Sequence, residues 1–492
     1  MRTIKILTAV LTVFFMTACG DDYLDLTPPD AIADTEAFET LEDFHVGLNG
    51  IYSSIRAGGA YWGKNMMMNF AVSTNDFYAV QGFTNQWGSQ YAWTVLPGTG
   101  EGANLWLSAY RVATRSSNLI NNFGNLPAPA ANDAALIAEH NQILGEAKLA
   151  RAMAHFDLVR VFAKPYRLAN PDSDLGVPIV TVENLEEKPR NTIGEVYSFI
   201  LEQALEARNL ITMNRARHFM GVDAANAFLA RVYHEMGDWP NAITYATNVI
   251  NARSLSTGEQ FMNIWADDGA VNDEVLFMVG VHQSEFGNDL NLGSNFVGGN
   301  PPVGGNWRID YIPALELLDL YDKDNDIRYA AYFLDNVNVP SINPVTAFVK
   351  YPPDNPHFTN RGMNQMKVFR VAEAYLIRAE AYAASGQAGP ANDDLEALRT
   401  ARISGYSHTD LSGDNLLNAI YDERRKEMVA ESSRWFDLRR RNVGFSRTPQ
   451  QGTGPANDLV IENNDYRWIW PIPQGEMDAN SLIIQNPGYA SE

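Results

Sequence analysis

Asp76-Phe77-Tyr78, Gln81, Asn85-Gln86-Trp87 and Gln90-Tyr91 interleave aromatic rings with amides and one carboxylate inside sixteen residues. Sugar rings present apolar C–H faces that stack on Trp and Tyr, and their hydroxyls bond to Asp, Asn and Gln. A glycan site therefore needs both kinds of side chain together. Phe286, Asn288, Asn306 and Trp307 repeat the mixture in a second stretch. Asp76, Tyr78, Trp87, Phe286 and Trp307 are the candidate ligand-binding residues; the alternative for each ring is ordinary core.

The enzymatic signatures in the chain are incomplete. Gly58 to Lys64 has the spacing of a phosphate-cradling loop, but Asn65 stands where a magnesium-binding hydroxyl belongs, and a helical pattern precedes it instead of a strand. Gly98, Gly100 and Ala103 echo a dinucleotide fingerprint without a surrounding βαβ unit. His234-Glu235 is followed by Met236-Gly237-Asp238, so no HExxH motif forms, and there is no Gly-x-Ser-x-Gly elbow. Asp322 to Asp326 begins like a calcium loop, yet Ile327 replaces the turn glycine and Phe333 the closing glutamate. The eight histidines have no metal-ligand spacing. No cofactor, metal or catalytic residue is expected. A glycoside hydrolase stays open as an alternative on chemistry alone, because it needs only two carboxylates and the chain has 59 acidic residues. The charged run Glu423 to Arg441 reads as ion pairs beneath the fold, and Trp435 beside Arg434 as core or a cation-π contact.

Cys19 is the only cysteine, so no intrachain disulfide can form. Arg2 and Lys5 precede an apolar run from Ile6 to Met16, then Thr17-Ala18-Cys19-Gly20, the order of a bacterial export signal. The run is shorter than the ~20 residues a spanning helix needs. Cys19 after Met16-Thr17-Ala18 resembles a lipobox cysteine, whose multiple acylation would anchor the protein stably; the alternative is a plain secretory signal. Residues 1–18 read as signal peptide, 19–37 as lipidated tether and extended segment, and 38–492 as one domain. The net charge of -22 becomes -24 when Arg2 and Lys5 leave with the signal. So acidic a surface repels phosphate backbones, which excludes nucleic acid as a partner.

The candidate residues need a scaffold, and the apolar periodicity predicts a mainly α one. Phe38, Leu41, Phe44, Leu48, Ile51, Tyr52 and Ile55 share one helical face, and the same period predicts helices over 147–161, 225–236, 240–250 and 368–383. Ala230, Tyr233, Gly237 and Ala242 match Ala379, Tyr382, Gly386 and Ala391 at a constant offset of 149 residues, in the pattern of tetratricopeptide helix pairs. Between the helices, 57–102 and 282–308 are rich in Gly, Asn, Pro and aromatics. Irregular loops that long are usually functional.

Together these residues resemble the SusD/RagB family of Bacteroidota outer-membrane lipoproteins. The resemblance runs from Cys19 with Tyr23-Leu24-Asp25-Leu26-Thr27-Pro28, through Glu146 to Ala152, Phe156 to Arg160, Ala227 to Tyr233 and Glu373 to Ala381. It ends with Glu423-Arg424-Arg425, Arg434 to Arg440 and Gln485-Asn486-Pro487-Gly488-Tyr489. It implies about four tetratricopeptide-like pairs carrying long irregular ligand-binding loops, with Trp93 and Trp106 structural. It further implies a surface-facing lid that captures glycan, or in some branches peptide, and delivers it to a SusC-like TonB-dependent transporter without catalysis.

Overall fold

The computed structural model describes residues 38–56, 61–182, 186–267, 273–282, 292–297, 305–340, 342–450, 453 and 458–489. Cys19 with its tether and Phe286 lie outside the described residues. The first helix, α1 (Leu41–Arg56), buries Phe44, Leu48, Ile51 and Ile55, the face its periodicity predicts. There follow α2 (Asn65–Val72), strand β1 (Phe77–Ala79), α3 (Gly100–Asn122), α4 (Ala134–Phe162) and α5 (Ile193–Leu210). Next come α6 (Val222–Met236), α7 (Trp239–Ala252), β2 (Val275–Met278), β3 (Tyr311–Pro313), β4 (Phe333–Val339) and β5 (Ile342–Phe348). The chain closes with β6 (Lys367–Arg370), α8 (Val371–Ala384), α9 (Ala388–Arg402), α10 (Gly413–Glu427), α11 (Arg434–Arg440), β7 (Phe445–Arg447) and β8 (Leu459–Ile461). The strands form four two-stranded antiparallel pairs, β1 with β3, β2 with β6, β4 with β5 and β7 with β8.

The 149-residue repeat is a repeat of helix hairpins. Gly237 ends α6 at φ +76° and Gly386 follows α8 at φ +75°, the left-handed turn that glycine adopts without steric cost. Ala242 and Ala391 are both fully buried one turn into the second helix. In the first hairpin the Asp238 carboxylate accepts the Asn241 N–H at 3.3 Å, and Pro240 occupies the first turn of α7, where a missing N–H costs little. The two hairpins pack through α7 and α8. Helix α4 begins at Ala134, well before the predicted Ala147, because Asp133 caps it by accepting the Leu136 N–H at 3.1 Å. Against α5, a Cβ on Gly145 would lie 2.7 Å from Ile211, so glycine sets how closely the two helices approach.

Residues 368–370 are strand, not helix as predicted. Val368, Phe369 and Arg370 are buried on both faces of β6, paired with β2, and a short apolar run of that kind carries no period that separates strand from helix. Leu315–Leu318 forms a single helical turn after β3.

The charged run 423–441 lies inside. Glu427 is fully buried and accepts from Arg328 (3.1 Å), Arg370 (2.9 Å) and Arg402 (3.0 Å), each guanidinium itself 0–1% exposed. Glu274 bridges Arg370 and Arg402 at 2.6 and 2.7 Å, and Glu431 pairs with Arg370 and Lys350. A second cluster joins Arg231, Glu373, Arg424, Asp437, Arg440, Glu380 and His234. Burial pushes Glu423 up, but Arg328, Lys426 and Arg399 outweigh it and hold its carboxyl down at about 2. Trp435 is core, tilted against Phe70 and edge-to-face with Phe436, and the cation over its ring is Arg439 at 5.3 Å instead of Arg434. The calcium-like run is also spoken for: Asp326 turns inward to Arg328 (2.7 Å), and Asp322 accepts from the Asp324 and Asn325 N–H groups.

His155, fully buried in α4, gives the fold an acid-sensitive joint. Its Nδ1–H donates to the Arg151 carbonyl (2.9 Å), which leaves Nε2 to accept the Val180 N–H (3.1 Å). Protonation would set two N–H groups against each other. Burial, with the Arg151 charge, holds the imidazole down at about 4 against an ordinary 6.5. The unfolded chain therefore binds the extra proton between those values, and the stability is full above pH 6.5 and lost as pH falls towards 4. We expect about 3 kcal/mol to go between pH 7 and 4 from this group. Urea unfolding across that range should show a shallower fall for His155→Gln; parallel slopes would refute it.

Candidate functional site

Loop 80–94, between β1 and α3, is built against the convention for side-chain-bearing residues. Gly82, Asn85 and Trp87 all have positive φ (+80°, +63° and +60°). Glycine and asparagine tolerate that region, but a tryptophan there costs on the order of 1–3 kcal/mol, and such strain gathers at ligand sites. The loop is clamped to the segment before β3. The Thr84 N–H donates to Asp310 Oδ1 (2.9 Å), the Thr84 hydroxyl donates to the same carboxylate, and the Tyr311 hydroxyl donates to the Gln86 carbonyl (2.5 Å). The Val80 N–H donates to the Asp310 carbonyl at 3.0 Å, extending the β1–β3 ladder. Trp307 is held in turn by β4, its N–H donating to the Asn338 carbonyl at 2.8 Å.

Loop 80–94 and the segment that carries Trp307 are thus joined through Asp310 and Tyr311. Trp87, Trp307 and Phe83 are half-buried, their inner faces packed on the core, while Gln81, Thr84, Asn85, Gln86, Asn306 and Arg308 are exposed around them. Behind the loop Phe83, Tyr91 and Tyr311 form a triangle with centroids 5.5–6.3 Å apart. Partly exposed rings among amides and hydroxyls suit the apolar face and hydroxyl rim of a sugar. An open groove of about 390 Å³ lies beneath the β4–β5 hairpin, lined in part by Asp335, Asn336, Thr346 and Gln450.

Asp76 and Tyr78 do not reach this surface, and the expectation of direct contact is corrected for both. Asp76 is 2% exposed; its carboxylate accepts from Arg425 Nε (2.7 Å), and its carbonyl accepts the Ala314 N–H. Tyr78 is 4% exposed within β1, opposite Ile312. A carboxylate that close to a buried guanidinium, and a ring on an inner strand, serve to fix β1 against β3. Trp93 and Trp106 are buried, the Trp93 indole N–H donating to the Ser73 carbonyl at 2.7 Å. Phe83 was missed by sequence reasoning, although it lies between Gly82 and Thr84 in the same aromatic and polar stretch. Among the described residues no cluster of three His, Cys, Asp or Glu is placed to hold a metal, and no helix is long and apolar enough to cross a membrane.

Comparison with known proteins gives a consistent set of relatives. The chain matches the SusD family over residues 340–489, and over residues 22–234 a family described as starch-binding and associating with the outer membrane. It is 26% identical to SusD-like protein P2 of Formosa agariphila, across 99% of this chain and 100% of that one. A SusD superfamily protein of Bacteroides thetaiotaomicron superposes with TM-score 0.79 at 27% identity, covering 91% of this chain and 100% of that chain. A laminarin-binding SusD-like protein shares the fold, with TM-score 0.69, 20% identity and coverage of 92% and 100%.

Proposed function

We propose that the chain, which matches the SusD family over residues 340–489 and a family described as starch-binding and associating with the outer membrane over residues 22–234, captures oligo- or polysaccharide at the cell surface and hands it to a partner TonB-dependent transporter. It is a carbohydrate-binding protein and not an enzyme. The observation that carries the glycan reading is the pair of half-buried tryptophans, Trp87 and Trp307, on two loops bonded to each other, with exposed amides beside them. In this proposal Trp87 and Trp307 stack on sugar rings, Phe83 extends the platform, and Asp76 and Tyr78 brace it from behind. Cys19 carries the lipid anchor, and the export signal together with the lipobox supports a SusC-like barrel as the recipient.

Calorimetric titration of the full chain against a panel of neutral and acidic oligosaccharides and a panel of peptides tests this. The expected result is saturable binding to one glycan class with micromolar or tighter affinity and no product release. Binding confined to peptides would assign the chain to the peptide-capturing branch, and hydrolysis of the bound glycan would overturn the non-catalytic role.

A further inference from the structure

We propose that Arg447 is a positioning residue for the ligand loop, a buried cation kept for binding at the expense of stability. The inference rests on the reading of loop 80–94 as the glycan-holding loop. Arg447 ends β7 and is fully buried, yet it makes no ion pair among the described residues of a chain with 59 carboxylates. Its guanidinium lies 3.9 Å from the centroid of the Tyr91 ring, and its Nη2–H donates to the Tyr91 carbonyl at 2.6 Å. Nε and Nη1 have no hydrogen-bond partner there. Three other buried arginines without an ion pair among the described residues use their donors more fully: Arg151 donates to the Ser117 hydroxyl and the Gln203 side-chain carbonyl and leaves only Nε without a partner. Arg190 donates to the Gly176, Ile484, Phe162 and Leu175 carbonyls and to Asn486 Oδ1, and Arg439 to the Trp468, Arg160 and Ala163 carbonyls.

An unpaired, desolvated guanidinium is unfavourable in a protein interior. What Arg447 holds in return is Tyr91, by ring and carbonyl at once. Tyr91 ends the single helical turn that Trp87 begins, and its ring backs Phe83 and Tyr311. A cation over the ring plus a bond to the carbonyl fixes that turn in two directions, so the strained Trp87 backbone is presented ready-made and binding needs little loop ordering.

The distinguishing signature is opposite signs. In the full chain, Arg447→Met keeps an unbranched apolar side chain, smaller than arginine, and removes the unpaired charge, so the melting temperature should be unchanged or raised. Glycan affinity should fall tenfold or more, and amide exchange should quicken in residues 80–93 and not in α6 to α9. Arg447→Lys keeps a cation over Tyr91 and should recover part of the affinity. Wild-type affinity in Arg447→Met, or a loss of affinity that only follows a lowered melting temperature with loop exchange unchanged, would overturn the proposal. If the wild type binds no glycan while Arg447→Met still quickens exchange in 80–93 alone, the glycan reading fails and the hold of Arg447 on the loop stands.

Discussion

Replacing Glu427 with alanine is expected to destabilise the chain by at least about 3–5 kcal/mol, the cost of breaking a buried ion pair by removing one partner. Glu427 serves three guanidinium groups, and burial tends to raise its pKa while Arg402, Arg370 and Arg328 hold it well below the usual carboxylate range. Its loss would leave those three cations sharing Glu274, Asp326, Glu423 and Glu431 with a void between them. Glu427→Gln keeps the volume and one acceptor but turns an amide N–H towards arginines, so it should be harmed less than alanine and more than any surface control. Urea unfolding followed by far-ultraviolet dichroism checks this. A Glu427→Ala midpoint close to wild type would show that the network does not hold the hairpins to the loop layer. The network links α9, α10, β6 and the turn after α10, so the damage should be global and not confined to the ligand loop.

The second large effect is on binding. Trp87→Ala and Trp307→Ala should each weaken the recognised glycan by ~30-fold or more, since a stacked tryptophan at a desolvated contact is a hot-spot residue worth about 2 kcal/mol or more. The double variant should show no measurable heat. Stability should move little by comparison, because both rings are only half-buried and Trp87 sits in a backbone region unfavourable to its side chain. Asp76→Asn supplies the contrast: its carboxylate is occupied by Arg425, so its loss should act on stability first. If Trp87→Ala and Trp307→Ala bind as wild type, the loop face is not the ligand face and the aromatic rings there are simply packing.

Much of the scaffold was legible because its signals are local. The apolar period of α1, and Gly237 and Gly386 at matching places in two hairpins, act over a few residues and need no distant partner to be read. Val368 to Arg370 failed for the opposite reason: β6 exists because β2 lies beside it, nearly a hundred residues earlier in the chain. The site divides along the same line. Trp87 and Trp307 were identifiable as rings among amides, but what joins their segments is the Thr84–Asp310 and Tyr311–Gln86 bonds, between residues more than two hundred apart in the chain. Asp76 and Tyr78 had the right chemistry in the right stretch, yet Tyr78 lies on a strand buried along its whole length and Asp76 is held inside by a distant arginine, Arg425. Arg447 gave no sequence signal at all, because its significance is that no carboxylate among the described residues pairs with it, and only the fold decides which residues surround it.

The most direct test of the binding account is a crystal structure of the full chain with the tightest oligosaccharide from the titration panel. The account predicts sugar rings stacked on Trp87 and Trp307, with hydroxyls bonded to amides of loop 80–94 and Asn306, and with the loop backbone as it is here. An oligosaccharide seated on the helix hairpins, or one that touches neither indole, would contradict it.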